Sequence, residues 1–374
     1  MRRGRAFALA MLLALAGATG TAAQKPVIDA GPLKVGLNGR MQFQFSTTSV
    51  SAAEAGEAPG PAESTFETRR IRLAAELSLD DWITGMIEPD FAMGRLQIRQ
   101  AWIDLGFSDA LALRAGQYKK PFSLIQLTSS TKIPMIERNV RIRGLSDALA
   151  GADTAGMLSE FRGSTLFGEE QYLLETLGYD SYDMGASLHG AIGRFGYDVG
   201  VFNGTGSDRA DENGSKSFAG RATFALPVGR PLTLGAGVSV RDYLPADTLE
   251  SETGTAFEVD LEWGEYRGRG LWLLAEAAAG SNLVGADFRG AQAVAAFYVP
   301  TGHARVQGVE PVFRASWGDP NTDVDDDAGL LLTPGLTLHF FGRNKLMFNW
   351  DWYLPEADAF ERQHALRSQI QLSF

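Results

Sequence analysis

The 374-residue chain contains no cysteine. A disulfide framework, a thiolate metal site and a cysteine nucleophile are therefore excluded. Histidine is nearly as scarce: His189, His303, His339 and His364 show no pairing at metal-ligand spacing. Long apolar runs are missing as well. The run near the start, Ala6 to Ala16, is shorter than the roughly 20 residues a helical span needs. Charges or strongly polar residues interrupt every later one. Positive charge is in deficit, with 34 Lys and Arg against 45 Asp and Glu and a formal net charge of −11. Such a chain is not expected to bind nucleic acid.

Arg2, Arg3 and Arg5 precede the first apolar run, and small residues through Ala22 and Ala23 follow it. This layout predicts a secretory signal peptide over residues 1–23, cleaved before Gln24. Loss of those three arginines takes the formal charge from −11 to −14. A secreted chain without helical spans is either soluble or a β-barrel. The 43 Gly, 22 Phe, 9 Tyr and 7 Trp suit tight turns, close strands and interfacial aromatic girdles.

Period-two alternation is the dominant pattern. Val35, Leu37, Met41, Phe43 and Phe45 alternate with Asn38, Arg40, Gln42 and Gln44. Ile71, Leu73, Ala75, Leu77 and Leu79 oppose Arg70, Arg72, Glu76 and Ser78. Phe257, Val259, Leu261 and Trp263 oppose Glu258, Asp260 and Glu262, and the chain stops on a strand ending at Phe374. One oily and one wet face per strand is the signature of a half-buried strand. Short turns are read at Asp80-Asp81 and Ser108-Asp109, and a loop over Ser46 to Ser64. Between Tyr118 and about Gly151 the alternation disappears over a length far beyond a hairpin loop.

Closed strand pairing is the β solution that survives in lipid. The expected fold is all-β, a transmembrane antiparallel barrel over residues 24–374. Roughly 350 mature residues, at about 10 per tilted strand plus connections, accommodate sixteen strands. Soluble sandwiches and barrels also alternate. Aromatic apolar parities, wet faces rich in Arg, Gln and Glu, and the terminal Phe favour the membrane barrel.

Arg69 to Leu73, Gly116 to Phe122, Leu127 to Ser130 and Glu137 to Asn139 read RRIRL, GQYKKPF, LTSS and ERN. Taken in order, they resemble the phosphate-selective porin O and P family of bacterial outer-membrane porins. The resemblance implies sixteen strands, a connection over 119–150 that folds back and narrows the pore, and a homotrimer among outer-membrane lipid and lipopolysaccharide. It implies passive diffusion of small anionic solutes, phosphate or polyphosphate included, with no cofactor.

By count the chain has 27 Arg and 7 Lys. Arginine offers planar donor forks that match phosphate and carboxylate oxygens, and rings of cations in a pore favour anions. The candidate pore-lining residues are Arg40, Arg70, Arg72, Arg114, Arg221 and Arg241 on strand faces. Lys119, Lys120, Lys132, Arg138, Arg141 and Arg143 lie around the inward connection. Parity also directs Glu258, Asp260, Glu262 and Glu276 to the lumen, which leaves a weakly selective general porin as the alternative. Gln126 stands where phosphate-specific members place a constriction-loop lysine. The acidic run Asp319, Asp323, Asp325, Asp326 and Asp327 has Val324 where a calcium loop needs glycine and reads as a solvated loop. No local Ser and His with an orienting partner suggests a hydrolase, so the chain is read as a non-enzyme; an adhesin or barrel enzyme is the remote alternative.

Overall fold

The computed structural model describes residues 27–50, 63–80, 82–138, 141–143, 170–207, 211, 214–243, 252–325, 327–356 and 363–374. A short strand β1 (Val27–Ala30) folds back on the start of β2 (Leu33–Val50). Four strands follow: β3 (Glu63–Leu79), β4 (Ile83–Asp90), β5 (Gln97–Ser108) and β6 (Leu111–Lys119). A long connection holds two short strands, β7 (Arg141–Arg143) and β8 (Glu170–Tyr172), which pair with each other. Then come β9 (Tyr182–Ile192), β10 (Phe195–Phe202), β11 (Ser217–Val228), β12 (Arg230–Tyr243), β13 (Glu252–Trp263) and β14 (Gly270–Ser281). The last five are β15 (Asp287–Pro300), β16 (Gly308–Asp319), β17 (Gly329–His339), β18 (Lys345–Pro355) and β19 (Gln363–Ser373).

Each barrel strand pairs antiparallel with its sequence neighbour, β6 pairs with β9 across the long connection, and β19 pairs with β2. The result is a closed antiparallel barrel of 16 strands, and closure removes the barrel's edges. Among the described residues no helix is long and apolar enough to cross a membrane.

The alternation seen in the sequence becomes an inside-out protein. Along β13, Phe257 and Val259 are 62% and 61% exposed, whereas Glu258 and Asp260 are 3% and 7% exposed. Apolar side chains face outward and polar ones inward, as a barrel in hydrocarbon requires. The ladder is broken at informative places. Gln42 pairs with Arg70 but Phe43 pairs with Thr68, so Arg69 is an extra residue. Likewise Glu88 pairs with Gln100 and Pro89 with Ile98, leaving Arg99 unmatched. Such bulges re-aim a side chain that strict alternation would send the other way.

The closing seam is a polar ladder: Gln42 Nε2 donates to Gln371 Oε1 (2.6 Å) and Gln369 Nε2 to Gln44 Oε1 (2.9 Å). At its short-turn end, Gly39 and Phe374 exchange two backbone hydrogen bonds of 3.0 and 3.1 Å. The predicted loop over Ser46 to Ser64 is shorter than expected, because Thr47 and Thr48 pair with both neighbouring strands and Val50 still pairs with β19. β9 is a strand that the alternation did not reveal. Its outward positions Met184, Leu188 and Ile192 are oily, but the small Ala186 and Gly190 between them dilute the pattern.

Candidate functional site

The connection between β6 and β9 returns into the barrel over residues 120–138. Its entry is set by Gly116, at φ +130°, where an added Cβ would lie 2.2 Å from the Ala101 carbonyl oxygen. That close approach requires glycine. Ser123 follows at φ +65° and its Oγ accepts from Gln126 N, capping a single helical turn, Leu124–Leu127.

Apolar side chains fasten this segment to the wall. Leu124, Ile125 and Met135 pack with Trp272, Leu274, Val294, Ala296 and Val312, which point inward from β14, β15 and β16. Phe122 is fully buried among Leu173, Leu174, Leu177, Tyr179 and Phe288. Here the lumen face is apolar because it is covered by chain and not by water. Polar contacts continue the attachment around the barrel. Ile125 N donates to Glu276 Oε2 (3.0 Å), Ile136 N to Asn349 Oδ1 (2.8 Å) and Lys345 Nζ to Ile133 O (2.6 Å). Gln42 and Gln371 hold the carbonyls of Ser130 and Thr131. Glu137 ends the run: it accepts from Arg69 Nε (2.8 Å), Arg69 Nη2 (3.0 Å) and the Tyr172 hydroxyl (2.6 Å).

Opposite this segment the wall is basic. Arg40 on β2 and Arg72 on β3 are direct cross-strand partners, an arrangement that repels. Glu88 on β4 relieves it by bridging both, through Oε2 to Arg40 and Oε1 to Arg72 (3.3 Å). Asp90 accepts from Arg72 Nε (2.7 Å) and from the backbone amides of Ile71 (3.2 Å) and Ala92 (3.1 Å). Tyr182 sits between the cations: Arg99 and Lys119 each stand 5.7 Å from its ring centre, and Arg72 Nη1 donates to its hydroxyl (3.4 Å). Lys119 and Arg138 spend hydrogen bonds on the Gln126 carbonyl oxygen. The charge of Arg72 acts on Arg40, Arg99, Lys119 and Arg138. Among the described residues of this cluster, the buried Nε–H groups of Arg40 and Arg138 make no hydrogen bond to protein, and Arg99 Nε lies 3.7 Å from Asp90 Oδ2.

The inward carboxylates of β13 and β14 are in a different position. Glu276 receives Ser123 Oγ, Ile125 N and Gln292 Nε2. Arg221 on β11 reaches Asp260 (2.6 Å) and Glu258 (3.4 Å) across β12. The crossing is possible because Gly235 and Gly237 leave room: an added Cβ there would lie 2.2 Å from Asp260 and 2.9 Å from Glu258. The side chains of Glu258 and Asp260 are 0% and 1% exposed, whereas that of Arg99 is 27% exposed.

Of the residues singled out from the sequence, Arg40, Arg72, Lys119 and Arg138 come together, with Arg70 adjacent and donating to Gln42 Oε1 (2.8 Å). Arg114 belongs to a separate group, stacked 4.5 Å over Trp102 and paired with Asp104 beside His189. Lys120 is buried on the Gly178 carbonyl, and Arg241 lies 5.0 Å over the Tyr179 ring and donates to Asn282 O (2.6 Å). Lys132 lies half-buried on the inward segment. The side chains of Arg141 and Arg143 lie outside the described residues, as does the predicted signal segment 1–23. Arg69, Arg99 and Tyr182 were not singled out. The two arginines sit at bulges, where a parity count fails by one residue.

A closed barrel of this strand number, oily outside and polar within, with one long connection turned inward, defines the class of outer-membrane porins. Solved structures share the fold. The outer-membrane channel DcaP of Acinetobacter baumannii is similar at a TM-score of 0.60 and 13% identity, covering 94% of this chain and 100% of that one. OprB of Pseudomonas putida gives 0.57 and 13%, with 90% and 94% covered. OmpF of Salmonella typhi, solved with daunomycin, gives 0.55 and 12%, with 93% and 100% covered. No curated protein matches the chain. The model of the phosphate-selective porin O and P family matches residues 35–278, and the chain belongs to that family.

Proposed function

We propose that the chain is a passive diffusion channel of a Gram-negative outer membrane, and not an enzyme, whose solutes are small anions, phosphate among them. Residues 1–23 are its removable signal peptide and 24–374 its barrel. The connection over 119–150 narrows the path, and the working unit is a homotrimer surrounded by lipid and lipopolysaccharide. The observation that carries the anion reading is the excess of positive charge at this wall, where Arg40, Arg70, Arg72, Arg99, Lys119 and Arg138 stand against the carboxylates Glu88, Asp90 and Glu175. The Arg99 side chain among them is 27% exposed. Surplus guanidinium donors of that kind are matched by water or by a solute oxyanion. The opposing carboxylates Glu258, Asp260 and Glu276 are covered or paired, which weakens the case for a general porin.

The test is the reversal potential of the purified protein in a planar bilayer under a potassium chloride gradient. Anion-side reversal is expected, and Lys119→Gln with Arg138→Gln moves it toward zero. Reversal near zero in the unmodified protein would identify a weakly selective porin.

A further inference from the structure

We propose that Glu88 is a resident competitor for the solute, a carboxylate that occupies the arginine donors an incoming oxyanion takes over and then gives up. The inference rests on the anion-channel reading above. Of the carboxylates whose charge acts on the basic cluster, Glu88, Asp90 and Glu175, the first two hydrogen-bond its arginines and are held differently. Asp90 is fixed by the amides of Ile71 and Ala92 as well as by Arg72. The contacts of Glu88 are all with side chains: Arg40 Nη2, Arg72 Nη1 and, at 3.4 Å, Gln100 Nε2.

Asp90 therefore belongs to the fold of the β3–β4 end, while Glu88 can leave without exposing a backbone amide. Its position on β4 places its two oxygens between Arg40 and Arg72, the geometry a phosphate or carboxylate oxygen pair would adopt. A bare pair of facing arginines, each with a neighbouring cation, would hold an oxyanion tightly and pass it slowly. With Glu88 in place, a solute gains the arginine donors only as the carboxylate swings off them, and loses them as it returns. The exchange keeps anion preference, which is set by the surplus cations, and removes deep binding. Glu88 is thus a specificity-determining residue for transport.

The experiment measures chloride conductance in planar bilayers while inorganic phosphate is titrated, comparing the unmodified protein with Glu88→Gln, Glu88→Asp and Asp104→Asn. Heat-modifiable migration on gels confirms that each barrel is folded. Glu88→Gln keeps the shape and removes the charge, and the half-blocking phosphate concentration is expected to fall about ten- to hundredfold, the worth of a charge-assisted hydrogen bond. Glu88→Asp keeps a charge too short to span both arginines and falls between. Asp104→Asn removes a lumen carboxylate outside the cluster and leaves the block near its original value. An unchanged or weaker block in Glu88→Gln overturns the proposal, and so does an equal effect from Asp104→Asn, which would mean that long-range charge alone is at work. If Glu88→Gln does not fold, an unaltered block in Glu88→Asp overturns it. An anion-selective channel with no change in Glu88→Gln sinks this inference and spares the channel reading; an unmodified protein without anion preference removes both.

Discussion

Replacing Arg69 by methionine takes the cationic partner away from the Glu137 carboxylate inside the barrel. That carboxylate is almost wholly buried and takes two of its hydrogen bonds, 2.8 and 3.0 Å, from the Arg69 guanidinium. Removing one partner of a buried pair costs about 3–5 kcal/mol because the other charge stays desolvated. The Tyr172 hydroxyl and Gln44 Nε2 (3.3 Å) still donate, so a loss at the low end of that range, about 3 kcal/mol, is expected, roughly a hundredfold in the ratio of docked to undocked segment. The cost falls on the inward segment because the β3 backbone ladder is untouched. Limited proteolysis with trypsin reads the change, since Lys132 and Arg138 lie on that segment. When reclosing is faster than cleavage, the rate follows the open population, so Arg69→Met is cut about a hundredfold faster. Glu137→Gln in the same chain removes the carboxylate charge, leaves Tyr172 an acceptor and restores most of the protection. A cleavage rate for Arg69→Met within about twofold of the unmodified protein, in a barrel that still migrates as folded, would refute the view that this pair docks the segment.

Other perturbations reach different levels of the molecule. Gly116→Ala places a methyl 2.2 Å from the Ala101 carbonyl at φ +130°, and strain of about 1–3 kcal/mol should lower the midpoint temperature of the heat-modifiable gel shift; an unshifted midpoint counts against the close approach. At the rim between β16 and β17, burial and then Asp319 push the Asp327 carboxyl up to about 7, against roughly 3.9 in an unfolded chain. Its proton is held more tightly in the folded loop, so the stability it contributes is full below about pH 4 and gone above about pH 7. Hydrogen exchange at the Glu356 amide, which donates to Ala328 O at 2.8 Å, should quicken beyond its intrinsic rate between those limits. Asp327→Asn should flatten that response, and a surviving pH dependence would assign it elsewhere.

Most of the barrel was legible because a lipid-facing strand must alternate. Phe257 and Val259 against Glu258 and Asp260 could be assigned to their faces without coordinates. Legibility failed where the physical requirement changed. On β14 and β15, Trp272, Leu274, Val294 and Ala296 face inward because the returning segment covers them, so both faces are apolar and the alternation blurs. At the bulges, one extra residue turns Arg69 and Arg99 toward the lumen against the parity of their neighbours. The family's motif residues were visible as fragments, but not that Arg69 from the first meets Glu137 from the last. Arg221, Lys120 and Arg241 were sensible candidates on charge and face; whether a neighbouring carboxylate or carbonyl already holds a cation depends on pairings that a single strand does not encode.

The glutamine seam has a consequence for the order of assembly. Gln42 and Gln371 meet only when the first and last barrel strands join, a contact spanning 329 positions of sequence, and closures of that range come late because so much chain must be ordered first. The same two side chains hold the Ser130 and Thr131 carbonyls of the inward segment. Part of that segment's resting place therefore does not exist in an open sheet. The passage through the barrel acquires its final width last, after the wall is complete, and a barrel arrested one strand short would be a different channel and not a slower version of this one.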